Sequence, residues 1–242
     1  MVTGQLPVRV SVIIPTHNEA QAIGRVLADL PSNLVTEVIV VDSNSTDGTP
    51  ETAANMGARV IQEARRGYGR ACLTGIEAAS SPDVIVFLDG DYSDRPSELP
   101  ILLAPIMEGR AEITLGSRLL TQDSSSALPW HQVFGNRLAA GLIRVLYGVK
   151  ITDLGPFRAG RAEVLRALSL EEMTYGWAVE MILKGALAGY RILEVPVSYY
   201  PRIGKSKISG TVKGTLGAGW FILSLIVRYY FRRRRVQAKA ST

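Results

Sequence analysis

Three carboxylates stand at the end of an apolar run in VIVFLDGDYSD, residues 84–94. Asp89 and Asp91 are one residue apart, and Asp94 follows them. Clustered like charges repel one another, and removing a carboxylate from water costs free energy, so this group requires nearby positive charge. Two carboxylates on a turn can form an acid/base pair, as in glycosidases, or bind a hard divalent cation. Gly90 also permits an ordinary turn, so three interpretations are open on these residues alone.

Apolar runs rich in β-branched residues predict the strands that must position these acids. Their continuity is typical of strands buried on both faces of a parallel sheet. The predicted strands are residues 8–15, 37–42, 58–62 and 83–89. The helical patterns between them are residues 19–30, 48–57 and 69–79. This alternation predicts an α/β fold with a mainly parallel, Rossmann-like central sheet and helices on both faces, whose ligands collect beyond the carboxyl ends of the strands.

Polar residues also follow the first two predicted strands. Asp42 ends the second strand in VVDSNSTDGT, and Asn18 and Glu19 follow the first strand in IIPTHNEA. Some of these polar residues are expected to be helix caps, because residues 45–47 immediately precede the next helical pattern. Polar groups from three strand ends are therefore expected to meet at one edge of the sheet.

The rest of the chain predicts a more mixed region and a C-terminal helix. Strands are predicted at 112–118 and 191–198, helices at 134–148 and 177–188, and turns or loops at 121–129 and 152–160. Residues 214–231 are apolar for about 16 residues, fewer than the roughly 20 that a spanning helix needs, so we expect a helix lying in a membrane interface. We divide the chain into a catalytic domain, 1–210, and a membrane-associating segment, 211–242.

Composition and charge restrict the class of protein and its location. The chain has 242 residues, of which 47% are hydrophobic and 20% charged, as in one globular domain with or without a tail. The net charge is +5, and the basic stretch FRRRR at 231–235 predicts contact with an anionic membrane surface rather than with nucleic acid. Cys72 is the single cysteine, which excludes an internal disulfide, and the N-terminus lacks the apolar core of a secretory signal. We therefore expect a protein at the cytoplasmic face of the cell membrane, peripheral or shallowly anchored, in an undetermined oligomeric state.

Five motifs occur in a fixed order: IIPTHNE, VVDSNSTDGT, RGYGRA, FLDGD and GSR. In this order and spacing, over about residues 8–210, the chain resembles the family 2 inverting glycosyltransferases of GT-A fold. Within that family it is most similar to the branch of dolichyl-phosphate mannose synthase and bacterial polyprenyl-phosphate glycosyltransferases. The resemblance implies that Asp89 and Asp91 hold Mg²⁺ or Mn²⁺ together with the diphosphate of a nucleotide sugar, and that Asp91 is catalytic. The family often has an amide or acid at the position of Ser93, so Asp94 is a possible substitute ligand.

The resemblance also implies residues at the donor nucleotide. These are Pro15, Asn18 and Glu19 at the nucleoside, Asp42 at the base, and Gly67, Gly69 and Arg70 in a loop close to the nucleotide. Glycine in such a loop lets the backbone approach a ligand closely. The motifs do not fix the base or the sugar, so GDP-mannose and UDP-glucose types of donor are both open.

Basic residues later in the chain bear on the acceptor. A hydroxyl acceptor needs a general base to remove its proton, whereas a phosphate acceptor is already an anion. Arginine and lysine are suitable partners for phosphate, although a solvated basic loop is the alternative. The candidate residues are Arg118, Arg202, Lys205, Ser206 and Lys207. Glu180 falls where relatives that glycosylate hydroxyls carry their catalytic acid, and a helix-surface or salt-bridged glutamate is the alternative.

These observations predict a metal-dependent inverting transferase that moves a hexose from a nucleotide sugar to a polyprenyl or dolichyl phosphate at the membrane surface. One alternative is transfer to a hydroxyl of a cell-wall glycan or small polar molecule, with Glu180 as base. Another is a catalytically silent protein that binds nucleotide sugars.

Overall fold

The computed structural model describes residues 8–121, 128–204 and 212–240, with side chains of the last segment described for 217–232. Within these residues seven strands form one sheet in the order β3-β2-β1-β4-β6-β5-β7. The strands are β1 Val10–Thr16, β2 Glu37–Asp42, β3 Arg59–Gln62, β4 Val84–Phe87, β5 Ile113–Ser117, β6 Arg158–Arg161 and β7 Ile192–Pro196. Every pair of neighbours is parallel except those of β6, which is antiparallel to both β4 and β5. This is the mainly parallel sheet that the sequence predicts.

Helices cover both faces of the sheet. They are α1 Ala20–Ala28, α2 Thr49–Asn55, α3 Tyr68–Ala78, α4 Leu99–Met107, α5 Trp130–Tyr147, α6 Ala162–Ala167, α7 Trp177–Leu187 and α8 Val212–Ala240. Successive strand residues point to opposite faces, and β1 divides accordingly: Ile13 packs in the core with α3, α5, α7 and α8, while Val12 and Ile14 pack in the core with α1 and α4. The predicted arrangement of helices on both faces is confirmed.

Strand register brings the predicted polar strand ends together. Thr16 at the end of β1 lies opposite Asp42 at the end of β2, and Ile13 lies opposite Phe87 of β4. Because these neighbours are parallel, their carboxyl ends share one edge of the sheet. Asp89 follows Phe87 by two residues, so the acids after β4 emerge at this same edge.

Three elements were not predicted from the sequence: strand β6 and helices α4 and α6. Residues 152–160 were expected to be a turn, but β6 begins at Arg158 and is buried between β4 and β5. Its four residues, RAGR, contain no β-branched residue and give no strand signal. Helix α4 was also not predicted, because its sequence LPILLAPIM carries Pro105 inside the helix and has no polar face.

The C-terminal helix α8 packs into the catalytic fold along one face. Leu225, Ile226 and Tyr229 are buried in the core that also contains residues of α5 and α7, and the Tyr147 hydroxyl donates to the Ile226 carbonyl at 2.6 Å. In the described part of the chain, no helix is both long enough and apolar enough to cross a membrane. The domain division at 210/211 stays a prediction, but the inner face of α8 shares the core of the catalytic domain.

Candidate active site

The acid turn, residues 89–94, joins β4 to the helical turn at Pro96–Glu98. Asp91 is buried; its carboxylate accepts a hydrogen bond from the Ser93 backbone N–H at 2.9 Å and forms an ion pair with Arg202, whose Nη2 lies 2.9 Å from Asp91 Oδ2. Tyr92 has a φ of 60°, in the left-handed region that non-glycine residues adopt rarely. The backbone therefore turns sharply between the second and third acids.

Asp94 is the least satisfied carboxylate of the acid turn. It is buried, and neither carboxylate oxygen has a hydrogen-bond partner among the described residues. Burial raises the pKa of Asp94 well above its ordinary value, and the neighbouring charge of Asp89 raises it further. Burial and the charge of Asp91 likewise raise the pKa of Asp89 to about 7, although Arg202 opposes this shift. The turn thus holds carboxylates that are costly to ionise together without further positive charge, at an edge where the ligands of α/β proteins bind.

A segment from the C-terminal half of the chain lies against the acid turn. Tyr199 forms an antiparallel bridge with Asp94. The Tyr200 N–H donates to the Ser93 carbonyl at 2.9 Å, and the Ile203 N–H donates to the Asp91 carbonyl at 2.9 Å. These backbone contacts position Arg202 beside Asp91.

Arg95 stacks the two segments together through its guanidinium group. Its Cζ lies 4.5 Å from the centre of the Tyr92 ring and 3.8 Å from that of the Tyr200 ring. A guanidinium over an aromatic face is attractive, and more so when it is desolvated. Arg95 therefore helps to fix residues 199–203 beside the acids.

Arg118 follows β5 and binds Asp153, a partner that was not predicted from the sequence. Its Nε and Nη2 donate to the two carboxylate oxygens of buried Asp153 at 2.7 and 2.9 Å, and Asn136 also donates to Asp153 at 2.6 Å. Burial alone would raise the pKa of Asp153, but the Arg118 charge and hydrogen bonds outweigh burial and lower it. The Arg118 guanidinium also faces the Tyr199 ring at 4.9 Å. Arg118 is thus held rigidly on the side of the acid turn toward β5.

The loops after β1 and β2 are joined by hydrogen bonds. The Asn18 N–H donates to Ser45 Oγ at 2.8 Å, and Asn18 Oδ1 accepts from the Thr46 N–H at 2.8 Å. The Glu19 N–H donates to Thr49 Oγ1 at 2.8 Å. Of the side chains expected to cap a helix, Ser45 binds the neighbouring loop, whereas Asp47 accepts from the first N–H group of α2 at 3.1 Å and from that of α1 at 3.0 Å. These contacts fix the predicted nucleoside residues in one unit with Pro15 near the end of β1.

Asp42 is fully buried beneath these loops. Its carboxylate accepts from Thr16 Oγ1 at 3.2 Å, from the Ser45 N–H at 2.9 Å and from the Ser45 hydroxyl. These contacts hold the two loops in place. The direct contact with a base implied by the family resemblance stays a prediction.

Gly67 and Gly69 lie where another part of the protein approaches the backbone. A Cβ at Gly67 would lie 2.3 Å from the Met173 carbonyl oxygen, and one at Gly69 would lie 2.2 Å from that of Glu172. The Arg70 N–H donates to the Met173 carbonyl at 3.1 Å. The space that these glycines leave is filled by residues 172–173, while their contact with a nucleotide stays a prediction.

Glu180 is in a salt-bridged network, which was one of the two alternatives for this residue. It is fully buried, and its carboxylate accepts from the N–H groups of Glu171 and Glu172 and from the Tyr229 hydroxyl. Lys184 Nζ lies 3.0 Å from Glu180 Oε1. Burial alone would raise the pKa of Glu180, but these hydrogen bonds and Lys184 outweigh it and lower the pKa. In this arrangement both carboxylate oxygens already accept hydrogen bonds from the protein.

The residues of the acid turn fit a divalent cation in their chemistry. No ready-made group of three or more His, Cys, Asp or Glu side chains for a metal is present in the described residues. The turn nevertheless supplies only oxygen atoms, which Mg²⁺ and Mn²⁺ prefer. Asp94 also has two buried oxygens lacking hydrogen bonds to described residues, a costly state that a cation would relieve. Asp89, Asp91 and Asp94 are therefore the candidate ligands.

Some predicted site residues lie outside the described residues, and some site residues were missed. Lys205, Ser206 and Lys207 belong to the first group. Asn136 and Tyr199 were missed, and Asp153 was noted only as part of a turn. The polar residues of TDLGP, in an otherwise apolar region, are the signal that favours Asp153, whereas nothing near Tyr199 in the sequence indicates its contact with Arg118.

The chain matches a known family and several named relatives. The sequence profile of glycosyl transferase family 2 matches residues 11–169. An uncharacterised glycosyltransferase of Mycobacterium tuberculosis is 35% identical over 208 residues, 86% of this chain and 93% of that protein. The dolichyl-phosphate hexose transferase of Haloferax volcanii is 36% identical over 201 residues, 82% and 86% of the two chains. The undecaprenyl-phosphate mannosyltransferase of Micrococcus luteus is 32% identical over 223 residues, 85% and 90% of the two chains.

Solved structures share the fold. Glucosyl-3-phosphoglycerate synthase from Mycobacterium tuberculosis, in complex with Mn²⁺, uridine diphosphate and glucosyl-3-phosphoglycerate, matches with a TM-score of 0.72 at 23% identity, over 92% of this chain and 80% of that chain. The same enzyme in complex with Mg²⁺ and uridine diphosphate matches with a TM-score of 0.71 at 24% identity, over 92% and 79% of the two chains. The predicted GT-A fold is confirmed, and the chain belongs to glycosyl transferase family 2.

Proposed function

We propose that this protein transfers a hexose, with inversion, from a nucleotide sugar to a polyprenyl phosphate at the cytoplasmic surface of a membrane, and that it uses Mg²⁺ or Mn²⁺. The observation that carries the proposal is the contact of Arg202 Nη2 with Asp91 Oδ2 at 2.9 Å. This contact joins a cation from the predicted acceptor segment to the turn predicted to hold the diphosphate of the donor. Relatives named for polyprenyl- and dolichyl-phosphate transfer support the same acceptor.

On the donor side, the acid turn would hold the cation through Asp89, Asp91 and Asp94. When bound, the cation offsets the negative charge on the leaving diphosphate. The hydrogen-bonded loops after β1 and β2 would hold the nucleoside, with Asn18 and Glu19 fixed in position by their neighbours. The solved structures that share the fold contain Mn²⁺ or Mg²⁺ together with uridine diphosphate, which supports a divalent cation and a nucleotide at this site.

On the acceptor side, the described residues supply cations, and the candidate base Glu180 is engaged elsewhere. Glu180 is buried and engaged by hydrogen bonds. Arg202 and Arg118 lie beside the acid turn, where Arg118 is oriented by Asp153. A phosphate oxygen is ionised at neutral pH and attacks without prior loss of a proton, so these residues need only bind and orient it. Lys205, Ser206 and Lys207 come three to five residues after Arg202 in the sequence, and their residue types suit the same phosphate.

Exposed apolar side chains on α5 and α8 support contact with a membrane. On α5, Trp130 is 80% exposed, and Phe134 and Leu138 recur at intervals of four residues on the same helical face. On α8, Trp220 is 76% exposed and Phe231 is exposed further along the helix. Exposed arginines flank these residues: Arg137, Arg144, Arg228 and Arg232. We define the seven exposed apolar residues as the membrane face: Trp130, Phe134, Leu138, Val145, Trp220, Val227 and Phe231.

The membrane contact is tested with lipid vesicles. Replacing Trp130 and Trp220 with Ser should lower binding to vesicles that contain an anionic lipid by roughly tenfold, because each bound indole is removed from water. Met107→Ser is the matched control, since Met107 is also exposed but belongs to α4, whose buried residues pack on the other face of the sheet. Co-sedimentation measures binding, and equal binding by all variants would exclude the membrane face as the docking surface.

The reaction is tested with defined substrates. The purified protein is incubated with GDP-mannose or UDP-glucose, a short polyprenyl phosphate and Mn²⁺, and glycolipid is detected by mass spectrometry. Formation of polyprenyl-phosphate hexose supports the proposal. Transfer only to a hydroxyl acceptor supports the first alternative, and donor binding without transfer supports the silent binding protein.

A further inference from the structure

We propose that Tyr229 of α8 and Glu180 of α7 are positioning residues for the donor loop, residues 66–70, so that the C-terminal helix supports the donor site as well as the membrane face. The inference rests on the proposed function for one point, that the donor loop contacts the nucleotide. The connection between helix and loop consists of contacts within the described residues and runs in three steps.

The first step joins α8 to α7. The Tyr229 hydroxyl donates to Glu180 Oε1 at 2.5 Å, and both residues are buried. Gly176 allows this approach, since a Cβ there would lie 2.6 Å from Phe221 Cε1 and 3.1 Å from Leu225 Cδ2. The position of α8 is therefore fixed closely against the start of α7.

The second step joins Glu180 to the support segment, residues 171–174. Glu180 Oε2 accepts from the Glu172 N–H at 2.7 Å and from the Glu171 N–H at 3.0 Å. Backbone N–H groups that donate to a buried carboxylate make strong, directional hydrogen bonds. Lys184 Nζ lies 3.0 Å from Oε1, which neutralises the charge without replacing these bonds.

The third step joins the support segment to the donor loop. The Gly69 N–H donates to the Thr174 carbonyl at 3.2 Å, and the Arg70 N–H donates to the Met173 carbonyl at 3.1 Å. The carbonyls of residues 172 and 173 also lie so close to Gly67 and Gly69 that neither position has room for a Cβ. The support segment and the donor loop must consequently move together.

The same elements lead from α7 to the acid turn. Trp177, the first residue of α7, is fully buried and packs its ring edge-on against Phe87 with ring centres 4.6 Å apart. Phe87 ends β4, two residues before Asp89. A shift at the start of α7 therefore reaches both the donor loop and the strand that carries the acids.

Two tyrosine-to-phenylalanine variants test the inference in the full-length protein. Tyr229→Phe removes the hydrogen bond to Glu180, whereas the matched control Tyr147→Phe removes a different hydrogen bond to α8, the one to the Ile226 carbonyl at 2.6 Å. Both variants loosen α8, but only the first acts on Glu180. We expect Tyr229→Phe to raise the Kd of GDP or UDP, measured calorimetrically with Mn²⁺, by roughly fivefold or more, and Tyr147→Phe to leave it within about twofold.

Amide hydrogen exchange measures the same connection in the absence of a nucleotide. The Gly69 and Arg70 amides should exchange faster in Tyr229→Phe than in Tyr147→Phe, because their acceptor carbonyls belong to the support segment. If the amides exchange faster in Tyr229→Phe but the wild-type protein binds neither GDP nor UDP, the structural connection stands and the proposed function is rejected. Nucleotide binding by the wild type with equal exchange and equal Kd in both variants would overturn the inference and leave the proposed function standing.

Glu180→Gln separates positioning from base catalysis. A positioning role predicts a raised KM for the donor with kcat little changed, because the carboxylate acts through residues 171–174. A fall in kcat of roughly 10²-fold at unchanged donor KM is the signature of a lost general base and would overturn the inference.

Discussion

Two buried carboxylates at the same edge of the sheet differ in whether the described residues donate hydrogen bonds to them. Asp42 at the end of β2 is 0% exposed and accepts hydrogen bonds from Thr16 and Ser45. Asp94 in the acid turn is 1% exposed and has no hydrogen-bond partner among the described residues. A satisfied buried acid stabilises the fold, while an unsatisfied one is costly unless a ligand completes it. The comparison distinguishes an acid that stabilises the loops from a candidate cation ligand.

The largest expected effect is at the acid turn. Asp91→Ala should lower glycolipid formation by roughly 10²-fold or more, because the cation that would offset the charge of the leaving diphosphate loses a ligand. Product is measured by mass spectrometry with Mn²⁺ present. Activity that persists in this variant, in the presence of a chelator, would contradict the assignment of the acid turn as the metal site.

Arg202 should give the next largest effect. Arg202→Ala should lower kcat/KM for a polyprenyl phosphate by roughly 30-fold, the scale of a lost charge-assisted contact in a partly buried site. Arg202→Lys keeps the charge but loses the planar fork, and should recover part of the activity. Initial rates at varied acceptor concentration measure both, and a mild Arg202→Ala effect would count against a phosphate acceptor.

The two carboxylates themselves can be compared by stability. Asp42→Asn should lower the free energy of unfolding by about 1–3 kcal/mol, because one of the two accepting oxygens is replaced by a donor. Asp94→Asn should cause no such loss in chelator, since no protein hydrogen bond to a described residue is broken. Urea unfolding followed by circular dichroism measures both variants. Added Mn²⁺ should stabilise Asp42→Asn but not Asp94→Asn. If both variants lose the same free energy of unfolding in the presence of a chelator, the proposed difference between the two carboxylates is wrong.

The smallest effect concerns Glu63, a satisfied acid near Asp42. The backbone N–H of Arg65 donates to the Glu63 carboxylate, and so do the side chains of Arg65 and Thr74. These hydrogen bonds lower the pKa of Glu63 from 4.5 to about 2. Because folding favours the ionised form, its contribution to stability is complete above about pH 4.5 and is lost as the pH falls toward 2. Glu63→Gln should therefore destabilise the protein at neutral pH and weaken its loss of stability in acid. Thermal unfolding from pH 7 to pH 2 measures this, with the exposed Glu77→Gln as control.

The donor half of the molecule could be predicted from sequence because its signals are local. Residues 37–42 form a β-branched run that ends in Asp42, and β2 occupies the same residues. The acids after β4 could likewise be assigned to the shared edge, because parallel strands fix their ends together. What local sequence did not reveal was whether each acid is satisfied, since Asp42 depends on Thr16, which precedes it by 26 residues.

The acceptor half was less predictable because its contacts join distant parts of the chain. Arg118 could be identified as a cation but not as the partner of Asp153, 35 residues away. Glu180 could be placed on a helix, yet its role depends on Tyr229, 49 residues away. A glutamate on a helix is compatible with both a catalytic base and a salt-bridged residue. Only the packing of α8 against Glu180 distinguishes these two roles.

The reversed strand β6 sets the width of the site. Because β6 is antiparallel to both β4 and β5, those two strands run in the same direction, and their carboxyl ends lie at one edge. Strands in a sheet are spaced by about 4.8 Å, so the starts of the acid turn and of the Arg118 loop are separated by about 10 Å. The segment before β6 enters this gap from the edge and places Asp153 within it, against Arg118. Insertions before residue 152 can therefore change the rim of the gap without changing the distance between its two walls.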